Sequence, residues 1–165
     1  MNNIKLGLLG FSALTVVAFA TQAQAADVTG NASATIQAAI ALTEDTAMDF
    51  ATIIADAAGD TVSLAADDSI SATGSSTFSG TAVAGAFSAT GSPSAAVTIS
   101  FSSGDTLTGP GTAMGLGTFV TDAGGSPAFD GTGDLAFNVG ADLTVGASQT
   151  AGAYSGTYTL TVDYQ

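Results

Sequence analysis

The sequence predicts an all-β protein, an antiparallel β-sandwich that follows an N-terminal leader. Gly, Thr, Ser and β-branched residues dominate the chain, and patterns typical of helices are weak. Apolar and polar residues alternate with a period of two, as they do in strands that bury one face. Turn-forming clusters interrupt these runs about every eight to twelve residues. That spacing favours roughly nine or ten short strands in an Ig-like, Greek-key arrangement.

Residues 1–25 have the pattern of a cleaved secretory signal peptide. Lys5 precedes an apolar run from Leu6 to Ala20, and Ala23-Gln24-Ala25 is a cleavage site of the small-x-small type. The apolar run has about fifteen residues, fewer than the roughly twenty that a membrane-spanning helix needs. We therefore predict cleavage before Ala26 and export of the remaining chain.

The longest alternating run follows the leader directly, from Val28 to Leu42. Its even-numbered positions are apolar or Gly, and most of its odd-numbered positions are Thr, Ser, Asn or Gln. This alternation is typical of a strand with one apolar face. We treat residues 26–40 as a separate N-terminal strand and residues 41–165 as a single sandwich domain.

The rest of the chain predicts a series of short strands. One or two of them are expected between residues 104 and 129, where Gly makes the pattern less regular. The remaining predicted strands are Ala47–Ile54, Thr61–Leu64, Ile70–Thr73, Thr77–Val83, Gly85–Thr90, Ala95–Ser102, Leu135–Val139, Asp142–Val145 and Gly156–Tyr164.

The charge composition excludes several kinds of chemistry. The chain has fourteen Asp or Glu, one Lys or Arg, and no His or Cys. Because the single base is Lys5 in the leader, the mature chain has no side chain for a Ser-His or Cys-His pair or a Schiff base. It has no basic patch for nucleic acid and no Cys/His set for zinc. We predict that the protein is not an enzyme, holds no metal or cofactor, and binds no nucleic acid.

The acidic residues fall mostly in predicted turns. The stretch from Asp130 to Asp134, with Gly, Thr and Gly between, is either part of a calcium loop or an acidic turn. It lacks the dense acidic spacing of a calcium-binding loop, and Asp caps turn backbone well, so the pattern favours the turn.

The large apolar residues are few. Leu, Ile, Val and Phe make up about a fifth of the mature chain, near the limit below which chains often stay disordered. Such a domain would benefit from apolar surface supplied by another chain.

The C-terminal strand has an apolar stripe formed by Tyr158, Leu160, Val162 and Tyr164. Tyr164 is the penultimate residue, and Gly152 is fourteenth from the C-terminus. The stripe fits an ordinary last strand of a sandwich. It also fits a strand that pairs along another protein and fills pockets at a spacing of two.

These C-terminal residues resemble the subunit motif of bacterial chaperone–usher pilins. The resemblance implies a pilin-like sandwich that lacks one strand, and a donor strand in which Val28, Ala32, Ala34 and Ile36 fill the groove of an identical subunit. It also implies that a periplasmic chaperone recognises Gly152, Tyr158, Leu160, Val162 and Tyr164, and that an outer-membrane usher exports the subunit. Many pilins carry a disulfide, whereas this chain has no Cys.

The chain after the leader also resembles a secreted family of unknown function, numbered 4402, from Gram-negative bacteria. The matching stretches are Ala32–Ile36, Ala47–Ile53 and Leu135–Tyr164. The last stretch is similar to spore-coat U type pilus subunits.

We therefore expect a structural subunit of an extracellular, pilus-like fibre for adhesion or biofilm, passing through the periplasm to the cell surface. The alternative is a self-contained secreted Ig-like sandwich that binds carbohydrate or protein, with residues 26–40 as its own first strand.

Overall fold

A computed structural model describes residues 24–165, whose backbone forms strands and turns but no helix. Nearly all of the predicted leader therefore lies outside the described residues. No helix in this range could cross a membrane. All paired strands are antiparallel, which confirms the all-β, antiparallel prediction. The eleven strands are β1 (Ala41–Thr46), β2 (Thr52–Ile54), β3 (Asp60–Leu64), β4 (Ile70–Ala72), β5 (Thr77–Ser79), β6 (Gly85–Thr90), β7 (Val97–Phe101), β8 (Asp105–Leu107), β9 (Met114–Thr121), β10 (Asp134–Val145) and β11 (Leu160–Tyr164).

Seven strands form the larger sheet. Its order is β1-β6-β10-β3-β4, with β9 along the other edge of β10 and β8 beside β9. Three of its neighbouring pairs, β1–β6, β6–β10 and β3–β10, join strands that are distant in the chain, so several connections cross over, as in Greek-key folds. The remaining strands form two pairs, β7 with β11 and β2 with β5.

The long strand β10 joins two strands that the sequence predicts separately. Its first half pairs with β6 and its second half with β3. The apparent break falls at Gly140, where a Cβ atom would meet the backbone of Leu64 and Ala65. Gly140 therefore allows a close approach at the point where the partner strand changes, and the strand continues through it.

The seven-stranded sheet and the two smaller sheets pack against one another through a shared core, as in a β-sandwich. Val97 and Val162 from the β7–β11 pair pack in one cluster with Phe137 and Val139 from β10. A second cluster lies around Leu64 and Leu143 of β3 and β10, and Ile53 and Phe78 of the small β2–β5 sheet pack against it. In β3 and β6, buried residues alternate with half-buried ones, as the period of two in the sequence predicts.

The predicted strand from Val28 to Leu42 is the largest difference between expectation and structure. Residues 24–40 form no strand, and β1 begins at Ala41. Residues 24–39 expose their side chains. Alternation marks a chain suited to pairing, but a strand also needs a neighbour that accepts its backbone hydrogen bonds.

The predicted strand Ala47–Ile54 shortens to Thr52–Ile54 for a local reason. Ala51 has a positive φ of 56°, which interrupts the extended backbone. The Asp49 carboxylate stabilises this turn by accepting a hydrogen bond from the Ala51 backbone N–H, at 2.8 Å. Phe50 in the same turn is buried and belongs to the core.

Candidate functional site

The four candidate donor residues lie in one exposed segment. Val28 is 95% and Ile36 94% exposed, and Ala32 and Ala34 are exposed as well. None of the four belongs to a strand. Val28 and Ile36 therefore bury almost no apolar surface within the described part of the chain.

The C-terminal candidates occupy one face of the last strand. Val162 is buried in the core, while Tyr158, Leu160 and Tyr164 are half-buried, and the residues between them are exposed. The strand is shorter than predicted and begins at Leu160. Residues 156–159 lie outside the strand. Thr159 nevertheless bonds Ser102 twice: its carbonyl accepts from the Ser102 N–H at 2.9 Å, and its N–H donates to the Ser102 hydroxyl at 2.8 Å.

Gly152 lies apart from that face, in the loop before the last strand. Its φ is 150°, and a Cβ atom there would come within 2.5 Å of Pro110 Cγ. Both observations require glycine at this position, since an L side chain would be strained and would clash with the proline ring. The fold of this chain therefore requires glycine at position 152 by itself.

Tyr164 makes contacts within the domain as well. Its ring packs edge-on against Phe129, with 5.9 Å between the ring centroids. Its hydroxyl donates a hydrogen bond to the backbone carbonyl of Ala38 and accepts one from the Ser92 N–H, both at 2.7 Å. The penultimate tyrosine thus ties the beginning of the domain to its end.

An open groove runs between residues 42–55 on one side and residues 149–160 on the other. It consists of two adjoining cavities of about 380 and about 810 Å³. The two cavities share Met48, Phe50, Leu107 and Gly156 in their walls, so they form one continuous depression. We use the name open groove for both cavities together.

The strands beside the open groove have unpaired edges. Within the described part of the chain, β1 pairs only with β6, and β11 pairs only with β7. Leu42 and Glu44 of β1 line the smaller cavity on one side, and Leu160 at the start of β11 lines it on the other. Free strand edges beside an apolar depression can accept a further strand.

The Tyr158 hydroxyl lies at the groove and is the one buried side-chain polar atom among residues 24–165 without a hydrogen-bond partner. The ring packs against Phe119 and Phe87, with centroid distances of 4.8 and 6.4 Å. Gly85 makes room for the hydroxyl, since a Cβ atom there would lie 2.8 Å from it. Burial, together with the nearby Glu44 carboxylate, raises the pKa of Tyr158 to about 12.

The alternating pattern in the sequence marks only the wall of the groove that the C-terminal residues form. Leu42, Met48, Phe50 and Leu107 form much of the other wall, and they come from separate parts of the chain. The local sequence features that point to close packing at the groove are two glycines, Gly85 and Gly156, which let neighbouring groups approach the backbone.

The acidic turns satisfy their carboxylates internally. Asp130 Oδ1 accepts hydrogen bonds from the backbone N–H groups of Thr132, Gly133 and Asp134, at 2.8–2.9 Å. These bonds, with one from the Thr132 hydroxyl, lower the pKa of Asp130 to about 2. Across residues 24–165, no three Asp or Glu side chains are grouped so that they could hold a metal ion. The Asp130–Asp134 stretch forms an acidic turn.

Comparison with known proteins places the domain in a family. No curated protein and no solved structure matches the chain. A family model described as "Domain of unknown function (DUF4402)" matches residues 40–164, from the residue before β1 to the last residue of β11. The match covers well over half of the chain and confirms the family number predicted from the sequence. The chain belongs to the DUF4402 family.

Proposed function

We propose that this protein is a structural subunit of an extracellular, pilus-like fibre in which the N-terminal segment of one copy fills the open groove of the next. The observation that carries the proposal is the groove itself, an apolar depression with an unpaired strand edge on either side. The same chain has an alternating segment, residues 26–37, that belongs to no strand in the described residues.

The chemistry of the segment and the groove is complementary. An inserted strand would supply backbone hydrogen bonds to the free edges of β1 and β11. Its even-numbered side chains would face Leu42, Phe50 and Leu160 in the groove, while its Thr, Ser and Asn side chains would face water. Burying Val28 and Ile36 would stabilise each joint by roughly 3–6 kcal/mol, before any hydrogen bonds are counted.

The charge of the chain fits a surface polymer. Residues 24–165 contain fourteen acidic side chains and no Lys, Arg or His, so trypsin-like proteases find no cleavage site. Like charges on the exposed turns would discourage chance pairing between fibres. Under this proposal a periplasmic chaperone covers the groove during export and an usher threads the subunits outward, for adhesion or biofilm. The protein would perform no enzymatic reaction and need no cofactor.

A second candidate function is a self-contained secreted sandwich that binds carbohydrate or protein. The larger cavity favours it, because Tyr154 and Gln149 line it beside apolar side chains. An aromatic ring next to an amide is a common combination in small binding sites.

The test compares three forms of the mature chain refolded from denaturant. The first is residues 26–165, the second lacks residues 26–37, and the third carries those residues after a flexible linker at the C-terminus instead. We expect the first to polymerise, the second to remain monomeric and less stable, and the third to be a monomer of higher stability. Size-exclusion chromatography and urea unfolding measure both properties.

A stable, non-polymerising monomer from the first form would refute the fibre. That result would favour the self-contained binding domain, particularly if adding a soluble glycan then changes the tyrosine fluorescence. Negative-stain microscopy of cells with and without the gene gives an independent test, because loss of the gene should remove surface fibres.

A further inference from the structure

The described residues contain a ring of three hydrogen bonds around Ala38, which we name the terminal clamp. The Ala38 N–H donates to Ser92 Oγ, the Ser92 N–H donates to Tyr164 Oη, and Tyr164 Oη donates to the Ala38 carbonyl. Each of the three distances is 2.7 Å. The clamp therefore fixes the backbone three residues before β1 begins.

The loop that carries Ser92 leaves room for the rings of Tyr164 and Phe129. A Cβ atom at Gly91 would lie 2.7 Å from Tyr164 Oη and 2.6 Å from Phe129 Cζ. Glycine at this position lets both rings approach the backbone of the loop. The closed ring satisfies the Tyr164 hydroxyl as donor and as acceptor, so the arrangement is complete without any ligand.

A strand-donating chain has a competing reaction, which is to fill its own groove. For that, the segment before β1 would have to reverse between residues 37 and 41 and run back beside β1. The residues there are Gln-Ala-Ala-Ile-Ala, with no Gly, Pro, Asn, Asp or Ser to form a tight turn. The clamp holds Ala38 in the middle of this stretch, and a reversal would break its hydrogen bonds.

We infer that the terminal clamp, formed by Ser92 and Tyr164 on Ala38, prevents the N-terminal segment from filling its own groove and so directs it to another copy. This inference rests on the proposed strand donation. Tyr164 and Ser92 are positioning residues in this scheme, because they do not touch the donated strand in the groove. The penultimate tyrosine then has a role in the choice between a closed monomer and a polymer.

The test compares the mature chain, Tyr164→Phe, Ser92→Ala and the control Thr98→Val, all refolded from denaturant at the same concentration. Tyr164→Phe keeps the ring against Phe129 and removes two bonds of the clamp. Ser92→Ala removes one bond and leaves Tyr164 intact, so it remains informative if Tyr164→Phe folds poorly. Thr98→Val removes a hydroxyl that bonds the Asp163 carbonyl, on the same C-terminal strand but outside the clamp.

Chromatography gives the ratio of closed monomer to polymer, and hydrogen exchange of residues 26–37 shows whether the monomer has filled its own groove. We expect both clamp variants to raise this ratio about tenfold with residues 26–37 protected in the monomer, while Thr98→Val behaves as wild type. A tenfold change corresponds to about 1.4 kcal/mol. Folded clamp variants that polymerise as wild type does would overturn the clamp and leave strand donation intact. A wild-type chain that never polymerises would overturn strand donation itself.

Discussion

Replacing Ile36 by Ala separates the stability of a subunit from the strength of the joint between subunits. Ile36 is 94% exposed, so the substitution removes no packing within the domain. Exposed substitutions away from special features change the free energy of unfolding by less than about 0.5 kcal/mol. In the proposed joint, however, the same side chain is buried in the groove of the next copy.

The expected effect on the joint follows from the area that is buried. Full burial of an Ile side chain is worth roughly 1.5–3 kcal/mol, and most of this is lost in Ile36→Ala. The critical concentration for polymerisation should then rise roughly 10- to 150-fold. Sedimentation of refolded samples over a concentration series measures this value, and urea unfolding of the monomer measures subunit stability.

Thr35→Ala is the matched control. Thr35 is the neighbouring residue on the polar face of the same segment and is also exposed. Its substitution should change the critical concentration by less than about twofold, because its side chain would face water in the joint. Equal critical concentrations for Ile36→Ala and wild type, or an equal rise for Thr35→Ala, would refute the assigned face.

Three further predictions concern the groove, the last loop and the acidic turns. Tyr158→Phe should raise the free energy of unfolding by about 1 kcal/mol in urea titrations, because it removes a buried hydroxyl that has no partner. Gly152→Ala should lower it by roughly 1–3 kcal/mol, through a φ of 150° and a clash with Pro110, and unchanged thermal unfolding would contradict this reason. Hydrogen bonds lower the pKa values of Asp60 and Asp130 to about 2 in the folded protein, below the 3.8 of a free carboxyl. Their stabilising effect is therefore complete above about pH 4 and is lost as the pH falls towards 2. The midpoint of urea unfolding, measured from pH 5 to 2, should drop in that window. Asp130→Asn should make this drop smaller.

Local alternation in the sequence predicted most of the strands, including several that have only one paired neighbour. Strand β6 occupies Gly85–Thr90 as predicted, since its alternation coincides with a buried position between β1 and β10. Strand β7 lies within the predicted Ala95–Ser102 although β11 is its one paired strand, because Val97 at its start is buried in the core and its side chains alternate. At Gly140 the departure from the pattern has a tertiary cause, since the strand continues and changes its partner from β6 to β3. At Ala51 the cause is local, since a positive φ interrupts the extended backbone.

The groove could not be predicted as a site. Its walls bring together Leu42, Leu107 and Tyr158, and nothing local in the sequence marks these residues as neighbours. The C-terminal stripe was visible because its residues lie at a spacing of two. The roles of Gly152 and Tyr164 within the fold were hidden, because Pro110 and Ala38 are more than forty residues away from them in the chain.

The placement of the three tyrosines gives the protein an optical reporter of its own. The chain has three Tyr and no Trp. Tyr154 and Tyr158 line the open groove, and Tyr164 belongs to the terminal clamp. Tyrosine absorbance and fluorescence in the near ultraviolet therefore come from the open groove, through Tyr154 and Tyr158, and from the terminal clamp, through Tyr164. Filling the groove, or opening the clamp, could be followed in real time on the unlabelled protein.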